Sequence, residues 1–118
     1  RWYRLAADQG YGLAQAALGD LYARGDGVPA DYATAARWYR QAAERGYAAG
    51  MAGLGYLTAT GKGVPKDEVA AHAWFNLAAA TGNADAARAR DQLATRLLPG
   101  DLARAERLAS EWRPTYPP

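Results

Sequence analysis

The chain has 118 residues, with 14 basic and 12 acidic side chains, one histidine and no cysteine. This length fits a single domain, and the lack of cysteine excludes disulfides, thiolate catalysis and cysteine-ligated metals. No run of 18 apolar residues occurs, so no membrane insertion is expected of this segment. The net charge is only +2 and the arginines are scattered, which argues against a nucleic-acid partner.

The sequence repeats itself with a period of 36 residues. Residues 1–46 and 37–82 are identical at half of their aligned positions, although about a quarter of the chain is alanine. Fixed periods of 20 to 50 residues are typical of solenoids, in which each unit packs on the next. The most regular recurring positions are Trp2, Trp38 and Trp74; Tyr3, Tyr39 and Phe75; Ala6, Ala42 and Ala78; and Gly10, Gly46 and Gly82.

The first half of each unit is predicted to be a helix followed by a glycine-rich turn. Apolar residues at helical spacing, Ala14, Leu18 and Leu21, precede this turn. A phosphate-binding Gly-x-Gly needs a preceding strand and a helix that opens directly on the glycines, and neither is predicted. We therefore interpret the glycines as turn residues that end the first helices, and they are Gly25, Gly27, Gly61 and Gly63.

The second half of each unit is predicted to be another amphipathic helix. In the first complete unit its apolar stripe contains the aromatic pair Trp38 and Tyr39, which recurs as Trp74 and Phe75. Asp31 and Asp67 precede these helices at the position of an N-cap, where a carboxylate accepts from free backbone amides. Gly46 and Gly82 follow the helices and are predicted to adopt a left-handed conformation there.

The pattern fades after Gly82, and a last amphipathic stripe predicts a helix that caps the stack. That stripe comprises Leu102, Ala105, Leu108, Ala109 and Trp112. We thus predict one solenoid domain over residues 1–113 and a disordered tail over 114–118. The solenoid starts with the second helix of a truncated repeat at 1–10 and continues with two complete repeats at 11–46 and 47–82. A capping unit follows, with its first helix at 83–98 and the capping helix at 99–113.

The amino-terminal segment is expected to belong to a longer protein, because the chain starts at Arg1 and with half a repeat. Its Trp2, Tyr3 and Leu5 lack the first helix of their unit, so upstream repeats or self-association with a second copy are expected to cover them. The compartment stays open between a bacterial periplasm or envelope and the cytoplasm. A composition rich in alanine, arginine and glycine favours a bacterial source.

The 36-residue unit resembles the Sel-like repeat (SLR), a relative of the tetratricopeptide repeat, on the pattern Leu18-Gly19-x-x-Tyr22-x-x-Gly25-x-Gly27-Val28 followed by Trp38-Tyr39. Thr58 departs from this pattern, since the family has tyrosine there. The resemblance implies an all-α fold, a right-handed α/α superhelical solenoid of antiparallel helix pairs with about seven helices. It further implies a protein-interaction or adaptor module whose first helices line the concave face.

One stripe of the first helices differs between the repeat copies while the rest is retained. We predict that this concave stripe binds a protein or peptide partner through polar side chains and small neighbours such as Ala17, Gly53 and Ala89. Unconstrained solvent positions, or a site for glycan or peptidoglycan fragments, are alternative interpretations. The candidate polar ligand-binding residues are Asp20, Arg24, Tyr56, Thr60, Gln92 and Arg96.

Catalysis is not predicted. His72 stands alone on a helix, Ser110 is the single serine, and no acidic metal-binding loop occurs. Paired carboxylates for glycoside chemistry stay open at this point, although each acidic residue also fits a helix cap or a solvated face. We therefore expect no enzyme activity, no metal and no cofactor.

Overall fold

The computed structural model describes residues 11–25 and 29–114, and the backbone of these residues forms six helices and no strand. The helix predicted in residues 1–10, Gly27 and most of the predicted tail lie outside the described residues. The predicted alternation of helices is confirmed in the described part. The helices are α1 (Gly12–Arg24), α2 (Tyr32–Glu44), α3 (Ala48–Thr60), α4 (Glu68–Ala80), α5 (Ala84–Ala94) and α6 (Pro99–Glu111).

Both predicted aspartate caps are present. The Asp31 carboxylate accepts from the Thr34 backbone N–H at 3.1 Å, and Asp67 accepts from the Ala70 N–H at 3.0 Å. These bonds satisfy amides that have no partner inside the helix. The bonds that Asp31 accepts from the Thr34 backbone and hydroxyl hold its pKa below the usual range, because they favour the charged form.

The predicted glycines end the second helices. Gly46 and Gly82 have φ of 84° and 107°, a region that side chains with a Cβ rarely adopt. The next residue in each unit donates its N–H back into the helix, from Tyr47 to Ala42 O at 3.1 Å and from Asn83 to Ala78 O at 3.0 Å. This is the Schellman geometry, and it turns the chain into the next unit. The first-helix glycines Gly25, Gly61 and Gly63 also have positive φ, between 70° and 76°.

Consecutive helices pack against one another from α1 to α5, as helix pairs joined by short turns do. The core is built largely of alanine, which lets neighbouring helices approach closely, with Leu54 and Leu57 as the largest fully buried side chains. Of each aromatic pair, the second member (Tyr39 or Phe75) is buried, and the tryptophan before it is half-buried. Six core alanines have no exposed surface, and they are Ala35, Ala42, Ala43, Ala71, Ala78 and Ala105.

The capping helix α6 lies on α4 and makes only slight contact with α5. Its Ala105 and Ala109 are buried, and the rings of Trp74 and Trp112 meet edge to face with centroids 5.4 Å apart. Leu108, another residue of the predicted stripe, is 48% exposed and lines a hollow between α6 and α4 together with Trp74 and Trp112. The residues that face α4 are Ala105, then Ala109 four positions later and Trp112, just after the helix, three positions after that. Leu108 therefore lies at the edge of the contact face.

Candidate functional site

The structure places all six candidate ligand-binding residues on the exposed surface. They belong to three first helices, α1, α3 and α5, or follow directly after them. We call the junction of α1, α2 and α3 the first seam, and the junction of α3, α4 and α5 the second seam. The candidate residues are divided between them: Asp20 and Arg24 lie at the first seam, and Tyr56, Thr60, Gln92 and Arg96 at the second.

A buried tyrosine occupies the first seam. The ring of Tyr39 lies so close to Gly19 and Gly53 that a Cβ built at either glycine would stand 2.6 or 2.5 Å from its carbons. The Tyr39 hydroxyl donates a hydrogen bond to the Asp20 carboxylate. Burial raises the pKa of Tyr39, and the bond to Asp20 and its negative charge raise that pKa further. Asp20 therefore has a structural partner inside the repeat.

The sequence contained a signal for this pair that residue-by-residue comparison missed. The equivalents of Asp20 and Tyr39 one period later are Tyr56 and Phe75, so the acceptor and the hydroxyl disappear together. A buried hydroxyl without an acceptor is costly, and a phenyl ring needs none. Changes at two positions that compensate each other in this way indicate contact.

The second seam holds a cavity of about 300 Å³, although the Phe75 ring lies against Gly55 there as the Tyr39 ring lies against Gly19 in the first seam. Ala89 stands where Gly53 stands in the first seam, and α3 and α5 make only slight contact, whereas α1 packs directly on α3. The cavity brings together four of the six predicted residues, while Asp20 and Arg24 are not part of its lining. Its lining comprises Tyr56, Ala59, Thr60, Phe75, Ala89, Gln92, Leu93 and Arg96.

The cavity has an apolar floor and a polar rim. Phe75 and Leu93 are 6% and 5% exposed, and they form the floor with the two alanines. At the rim, the Thr60 hydroxyl donates to the Tyr56 carbonyl oxygen at 2.8 Å, so it is held by its own helix. The remaining rim side chains, Tyr56, Gln92 and Arg96, are exposed. An apolar group that enters the cavity thus meets polar groups only around its entrance.

Two charged residues that sequence reasoning did not select adjoin this rim. Glu68, the first residue of α4, forms an ion pair with the Arg96 guanidinium. The ammonium of Lys62 lies 5.7 Å from the Tyr56 ring centre and 5.3 Å from that of Tyr32. Contacts of this type attract a cation to the ring face. Sequence spacing gave no sign of the Glu68–Arg96 pair or of the Lys62–Tyr32 contact, because each joins residues about 30 positions apart that meet only in the folded chain.

His72 lies apart from the cavity residues, on the side of α4 that faces α5 and α6. It is 5% exposed, and its Nδ1 has no hydrogen-bond partner in the structure. Burial lowers its pKa, and the charge of Arg90 lowers it further, while Glu106 and Asp91 act in the opposite direction.

Within residues 11–25 and 29–114, no three histidine or acidic side chains converge as metal ligands. None of the described helices is long and apolar enough to cross a membrane.

The stacked helix pairs define an all-α helical repeat solenoid. The family model of the Sel1 repeat matches residues 1–11, 12–47 and 48–83, and the chain belongs to this family. The predicted resemblance is thereby confirmed. No curated protein matches the chain in the sequence comparison.

Solved structures with the same fold include the following two. One is c5321, described as a protective antigen present in uropathogenic Escherichia coli strains and displaying an SLR fold. It is 37% identical, with a TM-score of 0.90 over 93% of this chain and 24% of its own. The other is a Sel1 repeat protein from Oxalobacter formigenes, 42% identical, with a TM-score of 0.75 over 78% of this chain and 27% of its own. The chain thus spans about a quarter of the length of either protein.

Proposed function

We propose that this chain is a non-catalytic interaction module that binds a peptide segment of a protein partner at the cavity of the second seam. Sel1 repeat proteins are in general protein-interaction modules, which supports the class of function. The observation that carries the choice of site is the cavity itself. It joins an apolar floor to the exposed rim residues that differ between the repeat copies.

The floor of the cavity suits an apolar side chain of the partner. Phe75, Leu93 and the methyl groups of Ala59 and Ala89 offer contacts that an aliphatic or aromatic group satisfies without unpaired polar atoms. Complete burial of such a side chain contributes about 1.5–3 kcal/mol. A cavity of about 300 Å³ lies at the lower end of the range for ligand sites, which fits one anchoring side chain rather than a whole ligand.

The rim suits the backbone of an extended peptide. The Gln92 amide both donates and accepts, and Tyr56, which is 56% exposed, presents an apolar ring with a polar tip. Asp20 and Arg24 lie on the preceding unit, where a longer peptide would continue along the first helices. An apolar floor of this kind favours an apolar peptide side chain over a sugar ring, whose hydroxyl groups need hydrogen-bond partners when buried.

The test is selection of random nine-residue peptides displayed on phage, with the complete 118-residue chain as the immobilised target. We expect enriched peptides with an apolar residue at a fixed position, and we expect Ala89→Leu, which fills the cavity, to weaken their binding at least tenfold. Ala84→Leu is the matched control, because Ala84 is exposed on the same helix outside the cavity, and it should leave binding unchanged.

Enrichment of no peptide would contradict the proposal, and so would peptides that bind Ala89→Leu as well as they bind the original chain. Muropeptides serve as the second set of probes. If they bind and Ala89→Leu abolishes that binding while no peptide is enriched, the site binds glycan fragments instead.

A further inference from the structure

The ion pair at the rim of the second seam points to the chemistry of the ligand. We propose that the peptides bound there carry a carboxylate next to the apolar anchor, and that Glu68 occupies the place of this carboxylate on Arg96 in the free protein. This inference rests on the proposed function and adds a ligand class and an internal competitor to it. The juxtaposition that carries it joins Arg96, the second residue after α5, to Glu68, the first residue of α4, 28 positions apart.

Arg96 is suited to bind a second carboxylate. It is the single charged residue among those that line the cavity, and its side chain is 61% exposed. A guanidinium carries five N–H donors in a planar fork, more than one carboxylate uses, and it binds carboxylates in a two-bond geometry. In the structure its Nη2 donates to Glu68 Oε2. An incoming carboxylate therefore finds a donor group that is already held at the rim.

The charges around the entrance favour an acidic ligand over a basic one. Lys62 lies over the Tyr56 ring at one side of the rim, and Arg96 is part of the rim. The acidic group described next to them is Glu68, which is already paired with Arg96. A basic side chain of a ligand would meet two cations and would compete with Arg96 for Glu68. An acidic side chain would instead be attracted by both cations.

Glu68 is held weakly enough to be displaced. Ion pairs between partly exposed side chains stabilise proteins little, because water solvates both groups well when they separate. Released from Arg96, the Glu68 carboxylate stays at the amino-terminal end of α4, where the helix dipole favours a negative charge. A peptide carboxylate that the apolar anchor holds beside Arg96 has a high effective concentration, so it competes well with Glu68.

The test uses two peptides labelled with fluorescein. The acidic peptide comes from the display selection, and the neutral peptide has the same sequence with asparagine and glutamine in place of aspartate and glutamate. Fluorescence anisotropy gives the affinity of both for the chain and for two variants. We expect Arg96→Gln to weaken binding of the acidic peptide about tenfold. Glu68→Gln should strengthen it about two- to fivefold, because the competitor is gone. Both variants should change binding of the neutral peptide by a smaller factor than they change binding of the acidic peptide.

Matched controls come from the ion pair of Arg104 and Asp101 on α6, which is not part of the cavity lining. Arg104→Gln and Asp101→Asn make the same changes of charge and should leave both affinities unchanged. If the selected peptides bind the cavity without acidic residues, or if Glu68→Gln weakens the acidic peptide, the inference is wrong while the proposed function stands. If no selected peptide depends on the cavity, both are wrong.

Discussion

The two seams of this chain have the same backbone elements and different interiors. In the first seam, the Tyr39 ring fits against two glycines and its hydroxyl is bonded to Asp20. In the second, Phe75 forms the floor of a cavity of about 300 Å³. Each seam is the meeting point of two first helices and one second helix. A repeat can therefore keep its fold while its successive surfaces differ.

The two interiors differ in residue type at three equivalent positions. Asp20, Tyr39 and Gly53 become Tyr56, Phe75 and Ala89 in the next unit. Gly53 lets the Tyr39 ring lie directly on the backbone of α3, whereas the equivalent residue of α5, Ala89, carries a methyl group and lines the cavity beside Phe75. Loss of the hydroxyl removes the need for an acceptor, so position 56 is free to hold an exposed aromatic residue. Substitutions at these positions test whether they determine the two interiors.

The largest expected effect comes from placing leucine at the two equivalent helix positions. Gly53→Leu forces a side chain into the Tyr39 ring and should lower the free energy of unfolding by about 2 kcal/mol, since overpacking of about 3 kcal/mol is offset by a gain of about 1 kcal/mol in helix propensity. Ala89→Leu enters an open cavity and should change stability by less than about 1 kcal/mol. Urea denaturation measures both. Equal destabilisation by the two would show that the seams are packed alike.

Exchanging the two buried rings should have the next largest effect. Tyr39→Phe removes the bond to Asp20 and should cost about 1.5 kcal/mol, whereas Phe75→Tyr places a hydroxyl beside an open cavity and should cost less than about 0.5 kcal/mol. Adding Tyr56→Asp to Phe75→Tyr rebuilds the pair of the first seam and should recover stability relative to Tyr56→Asp alone. A double-mutant cycle by thermal denaturation measures this coupling, and a value of zero would refute the pairing.

The smallest expected effect concerns a buried titratable group of the second complete repeat, 47–82. His72 stands where the first unit has the buried Ala36. Its pKa is lowered by burial, so the unfolded chain binds a proton at higher pH than the folded protein does. The stability that neutral His72 contributes is complete above pH ~6.5, the usual pKa, and is lost as the pH falls through its lowered pKa in the folded protein.

The check is the free energy of unfolding of the original chain and of His72→Ala, measured between pH 7.5 and 5. The original chain should lose more stability over this range, with an extra slope below the limit of about 1.4 kcal/mol per pH unit for one proton. Parallel curves would show that His72 is not held neutral by its surroundings.

Local signals in the sequence were sufficient to predict most of the fold. The caps Asp31 and Asp67 and the left-handed Gly46 and Gly82 act on their own helices within a few residues. Spacing alone reveals such features, because the partner lies on the same turn of the chain. Recognition of the 36-residue period then gave the order of packing.

The candidate site could be predicted only in part. Comparing the repeat copies selected four residues that the cavity brings together, since variation between copies marks positions that packing does not fix. The same comparison selected Asp20 as a residue available to bind a ligand, although its carboxylate accepts a hydrogen bond from the hydroxyl of Tyr39, 19 positions away. It also missed Glu68, whose bond to Arg96 depends on where α5 ends relative to α4. These contacts follow from the relative placement of helices, which no local pattern encodes.

The most direct test of the account is a map of ligand contacts in solution. Backbone and methyl resonances of the isotopically labelled chain would be followed by NMR while a selected peptide is titrated in. The account predicts that the largest chemical-shift changes lie at the second seam, at Tyr56, Phe75, Ala89 and Gln92, with small changes at Tyr39 and Gly53. Largest changes at the first seam, or on the outer faces of α2 and α6, would contradict it.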